Sequence, residues 1–397
     1  MDELKKRILH SVDETRHELL ELSHKIHQCP EIRFQEEKAV VWQTELLKRY
    51  GFSVEVPFAG LATSYKAAIK GKRTGPRIAM LAEYDALEGV GHGCGHNLIS
   101  AMSIGAAIAV GKIMDELDGE VIVLGCPAEE SGKGKVIMIN NGGFANIDYA
   151  MMIHPGTRNL IGRSGLAAVV LEVEFQGKAA HSKEPAEGIN ALTAIIKTFT
   201  GIDTLRQIWT DDARINGIIT AGGTAPNVIP EYAAARFTVR AKTSKYLHKM
   251  LEDLRKVVDA AALITGAEPR FKPGLVSTER YSNAVMGAVF KDNMAILGET
   301  MNYPPLGLSV GSSDIGNVSM IIPTIHEYLA IAPVGVKNHT KEFAQAAISE
   351  KSEDVLLKGA KGLAMTAYDI FTDSELRKKI YCDFESKVLK NESEDEL

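Results

Sequence analysis

Gly89-Val90-Gly91-His92-Gly93-Cys94-Gly95-His96-Asn97 sets metal-ligand side chains between glycines. A strand-like run, Arg77 to Asp85, precedes this loop, and an apolar helical stretch from Asn97 to Lys112 follows it. Strand-to-helix crossings of this kind are where open α/β sheets place ligand sites. Further strand-like runs end in similar chemistry. Glu120–Cys126 runs into Pro127-Ala128-Glu129-Glu130-Ser131-Gly132, and Tyr149–Ile153 into His154-Pro155-Gly156. His326 follows the run Met320–Ile325, and His339 precedes a long helical stretch. Strand ends on one sheet edge converge in space, so these groups can meet although they are far apart in the chain. Thiolate, imidazole and carboxylate together suit zinc or a similar divalent ion. Such an ion, with a position left open, lowers the pKa of water to about 7. A free carboxylate beside it can take the proton, a step worth ~10²–10⁴ in rate.

Each group alone has a plainer reading. Paired glutamates at a helix start complement the dipole. His24 and His27, one turn apart on the first helix, have no cysteine or acidic companion and read as structural. By residue type, His326 and His339 are equivalent candidates.

The elements around these loops follow from periodicity. Ile8, Val12, Leu19, Leu22 and Ile26 share a helical face over 3–27, and Pro30 ends that helix. Residues 36–50 form a second helix, closed by Gly51. Strands are expected at 53–56, 62–69 and 77–82, then at 120–126 and 149–153, with helices between. From residue 167 the pattern changes. A strand (167–176), a helix (187–209), strands (215–221, 233–241), a helix (245–266) and a strand (270–275) form a β-α-β-β-α-β unit. The fold class is therefore α/β. A mixed-sheet catalytic domain, 1–166 with 283–397, carries an inserted α+β (ferredoxin-like) domain over 167–282. A helix over 341–371 closes the chain, and the tail from Glu385 is charged.

Composition narrows the partners. A chain of 397 residues exceeds one core. With 45% hydrophobic and 24% charged residues it is ordinary globular protein. A net charge of −6 gives no reason to expect nucleic acid or an anionic membrane. No long uncharged span predicts a transmembrane helix, and the start carries both charge signs with no signal-peptide core. The 4 cysteines are too scattered for a disulfide framework. A cytoplasmic protein is the expectation.

Ala82-Glu83-Tyr84-Asp85-Ala86-Leu87, the Gly91–Asn97 loop, Glu129-Glu130 and His154-Pro155 resemble the M20 metallopeptidases, subfamily D, the amidohydrolases and carboxypeptidases. Gly177-Lys178-Ala179-Ala180-His181-Ser182, Ala225–Pro230, Gly311–Ser319 and His339-Thr340-Lys341-Glu342-Phe343 extend the resemblance over nearly the whole chain, in order. Glu83-Tyr84-Asp85 and Asn97 are most similar to the aminobenzoyl-glutamate hydrolase and M20 dipeptidase group. The commoner subfamily pattern has Asp at both Glu83 and Asn97. The resemblance implies two divalent ions per subunit, Mn²⁺ or Zn²⁺. Cys94 would bridge them, His96 and His154 completing one ion and Glu130 and His339 the other. Glu129 would be the general base, and Asp85 would hold a ligand histidine in the right tautomer. His92 and His326 have no ligand role in this pattern. The inserted domain would be a lid and homodimerisation domain whose His181 reaches the partner's active site and stabilises the oxyanion. Asn227, Arg240 and Asp314 become candidates for substrate binding. The implied substrate is a dipeptide, an N-acyl amino acid or an aminobenzoyl-glutamate-like amide.

Other classes fit less well. A dinucleotide-binding oxidoreductase would need a third glycine where Cys94 stands. A thiol hydrolase using Cys94 would survive EDTA. A binding protein on a dead enzyme fold has no reason to keep a full ligand set and base.

Overall fold

The computed structural model describes residues 2–130, 133–308 and 310–389. Ser131 and Gly132, and the charged tail beyond 389, lie outside the described residues. The chain divides into two compact units, Met1–Ser164 with Arg280–Leu397, and Gly165–Glu279. Among the described residues, no helix is long and apolar enough to cross a membrane.

The first unit opens with helices Glu3–Glu14 and Arg16–Gln28. The single helix expected over 3–27 breaks at Thr15. There the backbone turns to φ −87 and ψ 1, and Ser11 O accepts both the Thr15 N–H at 3.2 Å and its hydroxyl at 2.9 Å. Strands β1 (Ser53–Glu55), β2 (Tyr65–Lys70), β3 (Arg77–Glu83), β4 (Glu120–Cys126) and β5 (Tyr149–Gly156) follow. β12 (Thr324–Ala330), after the second unit, completes a six-stranded sheet in the order β1-β2-β4-β3-β5-β12. β1 and β2 run antiparallel to their neighbours, whereas β4, β3, β5 and β12 are mutually parallel. The sheet is therefore mixed, and the carboxyl ends of its parallel strands share one edge. The chain passes from β3 to its neighbour β4, then crosses back over β3 to β5. That reversal opens a crevice at the carboxyl ends of β3 and β5.

The parallel strands are covered on both faces, so they alternate between two apolar layers rather than between apolar and polar ones. Ile78, Met80 and Ala82 pack into the layer holding Leu19, Ile26, Met102 and Leu363. Ala79 and Leu81 face Ile122, Met138, Ile315 and Val318. The helix His96–Gly111 is buried from end to end, which explains its almost unbroken apolar sequence. The helix expected over 341–371 is interrupted. Lys341–Ala346 stops, and Ser349 caps a new helix, Glu350–Thr372, by accepting from Ser352 N–H.

The second unit holds β6 (Ala167–Gln176), β8 (Arg214–Ala221), β10 (Tyr232–Ala241) and β11 (Glu268–Pro273) in an antiparallel sheet ordered β11-β6-β10-β8. Helices Ala191–Leu205 and Ser244–Thr265 complete the β-α-β-β-α-β unit. The first begins later than residue 187, because Asn190 caps it by accepting from Thr193 N–H. Val169, Leu171, Val173 and Phe175 alternate into this unit's own core. A two-stranded ribbon, β7 (Ala180–His181) with β9 (Val228–Ile229), stands apart from the sheet.

Candidate metal centre

The loops at the carboxyl edge of the parallel strands bring the ligand side chains together. Ligand atoms of Cys94, His96 and His154 lie within 4.8 Å of one another, as do those of Cys94, Glu130 and His339. The two groups share Cys94. His96, Glu129 and Glu130 form a third group at the same spacing.

Backbone geometry sets these positions. Gly95 has φ 72, and a Cβ there would sit 2.8 Å from Pro155 Cγ. Only glycine lets the loop approach β5 so closely. Gly93 O accepts the N–H of His339 at 2.9 Å, tying the late loop to the early one. His339 itself is held at φ 65, a strained setting for a non-glycine residue, of the kind that clusters at functional sites.

Hydrogen bonds select the tautomers. His96 Nδ1 donates to Asp85, 2.9 Å from the carbonyl and 3.0 Å from Oδ1. His154 Nδ1 donates to Pro155 O at 2.7 Å. With Nδ1 the donor, each ring can offer Nε2 to a metal once that nitrogen carries no proton. The other Asp85 oxygen accepts the Glu130 N–H at 3.0 Å, so one buried carboxylate orients two candidate ligands.

The electrostatics are those of an anionic pocket. Burial alone would lower His96, but Asp85, Glu83 and Glu130 outweigh it and raise the imidazole well above its usual value. Burial, then Glu83 and Glu130, holds Glu129 well above the usual carboxylate range. Burial and Glu130 push the Cys94 thiol up as well. Burial, then His96, lowers His154 to about 3. This excess of negative charge and acidic protons is what a divalent ion would relieve, since ligands must be deprotonated to bind. His96 Nε2 and Glu130 Oε1 are buried without a hydrogen-bond partner. An unsatisfied buried polar atom costs about 1–3 kcal/mol. Soft thiolate with imidazole and carboxylate fits zinc-like ions, so the residues present suit the implied metals.

Other histidines are accounted for by structural bonds. His92 Nε2 donates to Ile26 O at 3.0 Å, and His27 Nε2 to Ala344 O at 2.8 Å. His24 sits 3.3 Å from Glu353. His326 accepts from Arg280 Nη1 at 2.8 Å through Nδ1, behind His154. Residue type does not separate His326 from His339; these positions do. His339→Ala is expected to lower bound metal by about one equivalent, and His326→Ala to leave it unchanged, by metal analysis after dialysis. The reverse pattern would exchange their roles.

Asp314, expected to bind substrate, is buried, with one oxygen 2.6 Å from Lys135 Nζ and the other accepting the Lys135 N–H at 2.9 Å. Lys135 Nζ also lies 2.5 Å from Glu83 Oε1. All three side chains are at most 1% exposed, and this ion-pair chain accounts for both Asp314 oxygens. Sequence reasoning missed Lys135; a charge inside the apolar run Lys135–Ile139 was the available signal. Asn97 also has a structural account, since its amide donates to Ser23 Oγ and Ala347 O.

The remaining candidates lie in the second unit. The ribbon pairs His181 with Val228, and Ser182 N–H donates to Asn227 O at 3.0 Å, so His181 and Asn227 are neighbours. Arg240 lies on the four-stranded sheet, opposite Ala168 and Arg214.

The chain is similar to known proteins over most of its length. A family profile described as a peptidase dimerisation domain matches residues 161–265. The Xaa-Arg dipeptidase of Mus musculus is 34% identical over 414 residues, covering 98% of this chain and 94% of its own. A p-aminobenzoyl-glutamate hydrolase chain of Escherichia coli (strain K12) is 26% identical, covering 95% and 94%. In fold, the chain is similar to a dinuclear metal binding peptidase of the M20 family from Bacillus subtilis, with TM-score 0.66 and 22% identity over 89% of this chain and 99% of that one. Fold and sequence together define a metal-dependent hydrolase. The chain belongs to the M20 family of metallopeptidases and amidohydrolases.

Proposed function

We propose that this chain hydrolyses the amide bond of small substrates and releases an amino acid. Cys94, His96 and His154 would hold one divalent ion, and Cys94, Glu130 and His339 a second. The observation that carries this reading is the shared Cys94, with Glu129 standing outside both groups beside them. Bound there, the ions would polarise the scissile carbonyl and make water acidic enough to attack at neutral pH. Glu129 takes the proton of the attacking water and hands it to the leaving amine. Asp85 keeps Nδ1 of His96 protonated and so keeps Nε2 a ligand. His181 would reach the partner subunit's active site and stabilise the developing oxyanion, and Asn227 and Arg240 would grip the substrate carboxylate.

The 34% identity to an Xaa-Arg dipeptidase puts dipeptides with C-terminal arginine first among substrates. Aminobenzoyl-glutamate and N-acyl amino acids come next. The dimerisation-domain match supports a homodimer formed through the second unit. The cysteines Cys29, Cys94, Cys126 and Cys382 are free, which fits a reducing, cytoplasmic setting. The test is release of free amino acid from a panel of these substrates. Activity should vanish in EDTA and return with Mn²⁺ or Zn²⁺. Turnover that survives EDTA would point to Cys94 as a nucleophile and sink the metal reading.

A further inference from the structure

Glu36 precedes the helix Glu37–Arg49, the position from which a polar side chain ordinarily caps the first turn. It makes no such bond. Glu31 does this work instead, accepting from Lys38 N–H at 3.1 Å and Ala39 N–H at 2.9 Å. The Glu36 side chain is 0% exposed and points elsewhere: Oε1 accepts the N–H of Ala128 at 2.9 Å. Ala128 is held at φ 59 and directly precedes Glu129. That left-handed setting is unfavourable for a non-glycine residue, so something must hold it. The N–H of Glu130, on the other side of Glu129, donates to Asp85 Oδ2 at 3.0 Å. Buried carboxylates from distant segments thus grip the turn on both sides of Glu129. The segment that carries Glu36 also braces Asp85, because Ala86 N–H donates to Glu31 O at 2.8 Å.

We propose that Glu36 is a positioning residue for Glu129, its carboxylate holding the left-handed turn at Ala128 that aims the base. This rests on the role of Glu129 given above. Glu130 has its own anchor in Asp85. Loss of Glu36 should therefore misplace the base and spare the ligands. A displacement of about 1 Å in a reacting group can cost 10²-fold in rate.

Glu36→Met keeps the volume and removes the acceptor; Glu36→Gln keeps an acceptor oxygen. In hydrogen-exchange mass spectrometry of the intact protein, Glu36→Met should speed exchange in the peptide carrying Ala128, and Glu36→Gln should match wild type. With metal bound, Glu36→Met should lower kcat about 10²-fold with KM and metal content nearly unchanged, and Glu36→Gln should stay within about threefold. Unchanged exchange in Glu36→Met, or equal impairment in both variants, would overturn the proposal. If Glu36→Met does not fold, Glu36→Asp withdraws the oxygen by one methylene and carries the same expectations at about tenfold. A wild type that hydrolyses none of the amides would remove the proposed function, and the exchange measurement would still decide the anchor.

Discussion

Glu129→Gln is expected to lower kcat by about 10²–10⁴-fold while the protein keeps its full metal content. Glutamine has the same size and keeps an acceptor oxygen, but it cannot take a proton. The side chain stands next to the ligands without completing either of the groups that share Cys94. Its Oε2 is 4.0 Å from His96 Nε2. Burial, with Glu83 and Glu130, favours the protonated acid in the metal-free chain. Bound cations would reverse that balance, and the same group would then serve as a base during attack and an acid at departure. Metal analysis alongside kinetics separates this role from a competing one. Glu129 also forms a group with His96 and Glu130. If metal is lost in proportion to activity in Glu129→Gln, Glu129 is a ligand and the base must be sought elsewhere.

The parts of this site that can be read in the sequence are those written locally. Glycines alternating with Cys94 and His96 after an apolar strand mark a ligand loop without tertiary information. The β-α-β-β-α-β order of the second unit follows from alternation and turn residues alone. What the sequence hides depends on partners far along the chain. Glu36 reads as a helix-start acid, because its acceptor role involves Ala128, 92 positions away. Lys135 stands at the head of an apolar run, and nothing local shows that Glu83 and Asp314 pair with it. Asp314 reads as a substrate contact for the mirror reason: an acid near a pocket motif says nothing about a buried ammonium behind it. The broken helices have a similar origin. Thr15 and Ser349 are compatible with helix interiors by pattern, and Ser349 becomes a cap only through its bond from Ser352 N–H.

Lys135 makes the largest expected difference to stability. Its ammonium is 0% exposed and lies between Glu83 and Asp314, themselves buried. Burial acts against its charge, but Asp314 and then Glu83 outweigh it and raise Lys135 well above its usual value. Replacing both kinds of charge with apolar groups can be neutral, whereas removing one partner strands the other. Lys135→Met strands two carboxylates and is expected to cost about 3–5 kcal/mol in urea unfolding at neutral pH. The sign with pH follows. Burial and Glu83 already raise Asp314, and Lys135 is what opposes them. Without the lysine, the folded-state value rises further above the unfolded one. The protonated carboxyl then protects the fold below the unfolded pKa, and that protection is lost as pH rises through the folded pKa. The deficit of Lys135→Met should therefore shrink as pH is lowered from neutrality towards the unfolded carboxylate value of about 4. Glu83 Oε2 is 3.6 Å from His96 Nε2, so the freed carboxylate has a candidate metal-ligand nitrogen within reach. Activity should fall along with stability, even where the variant remains folded. A deficit that is small and independent of pH would mean that Glu83 and Asp314 do not need the ammonium between them.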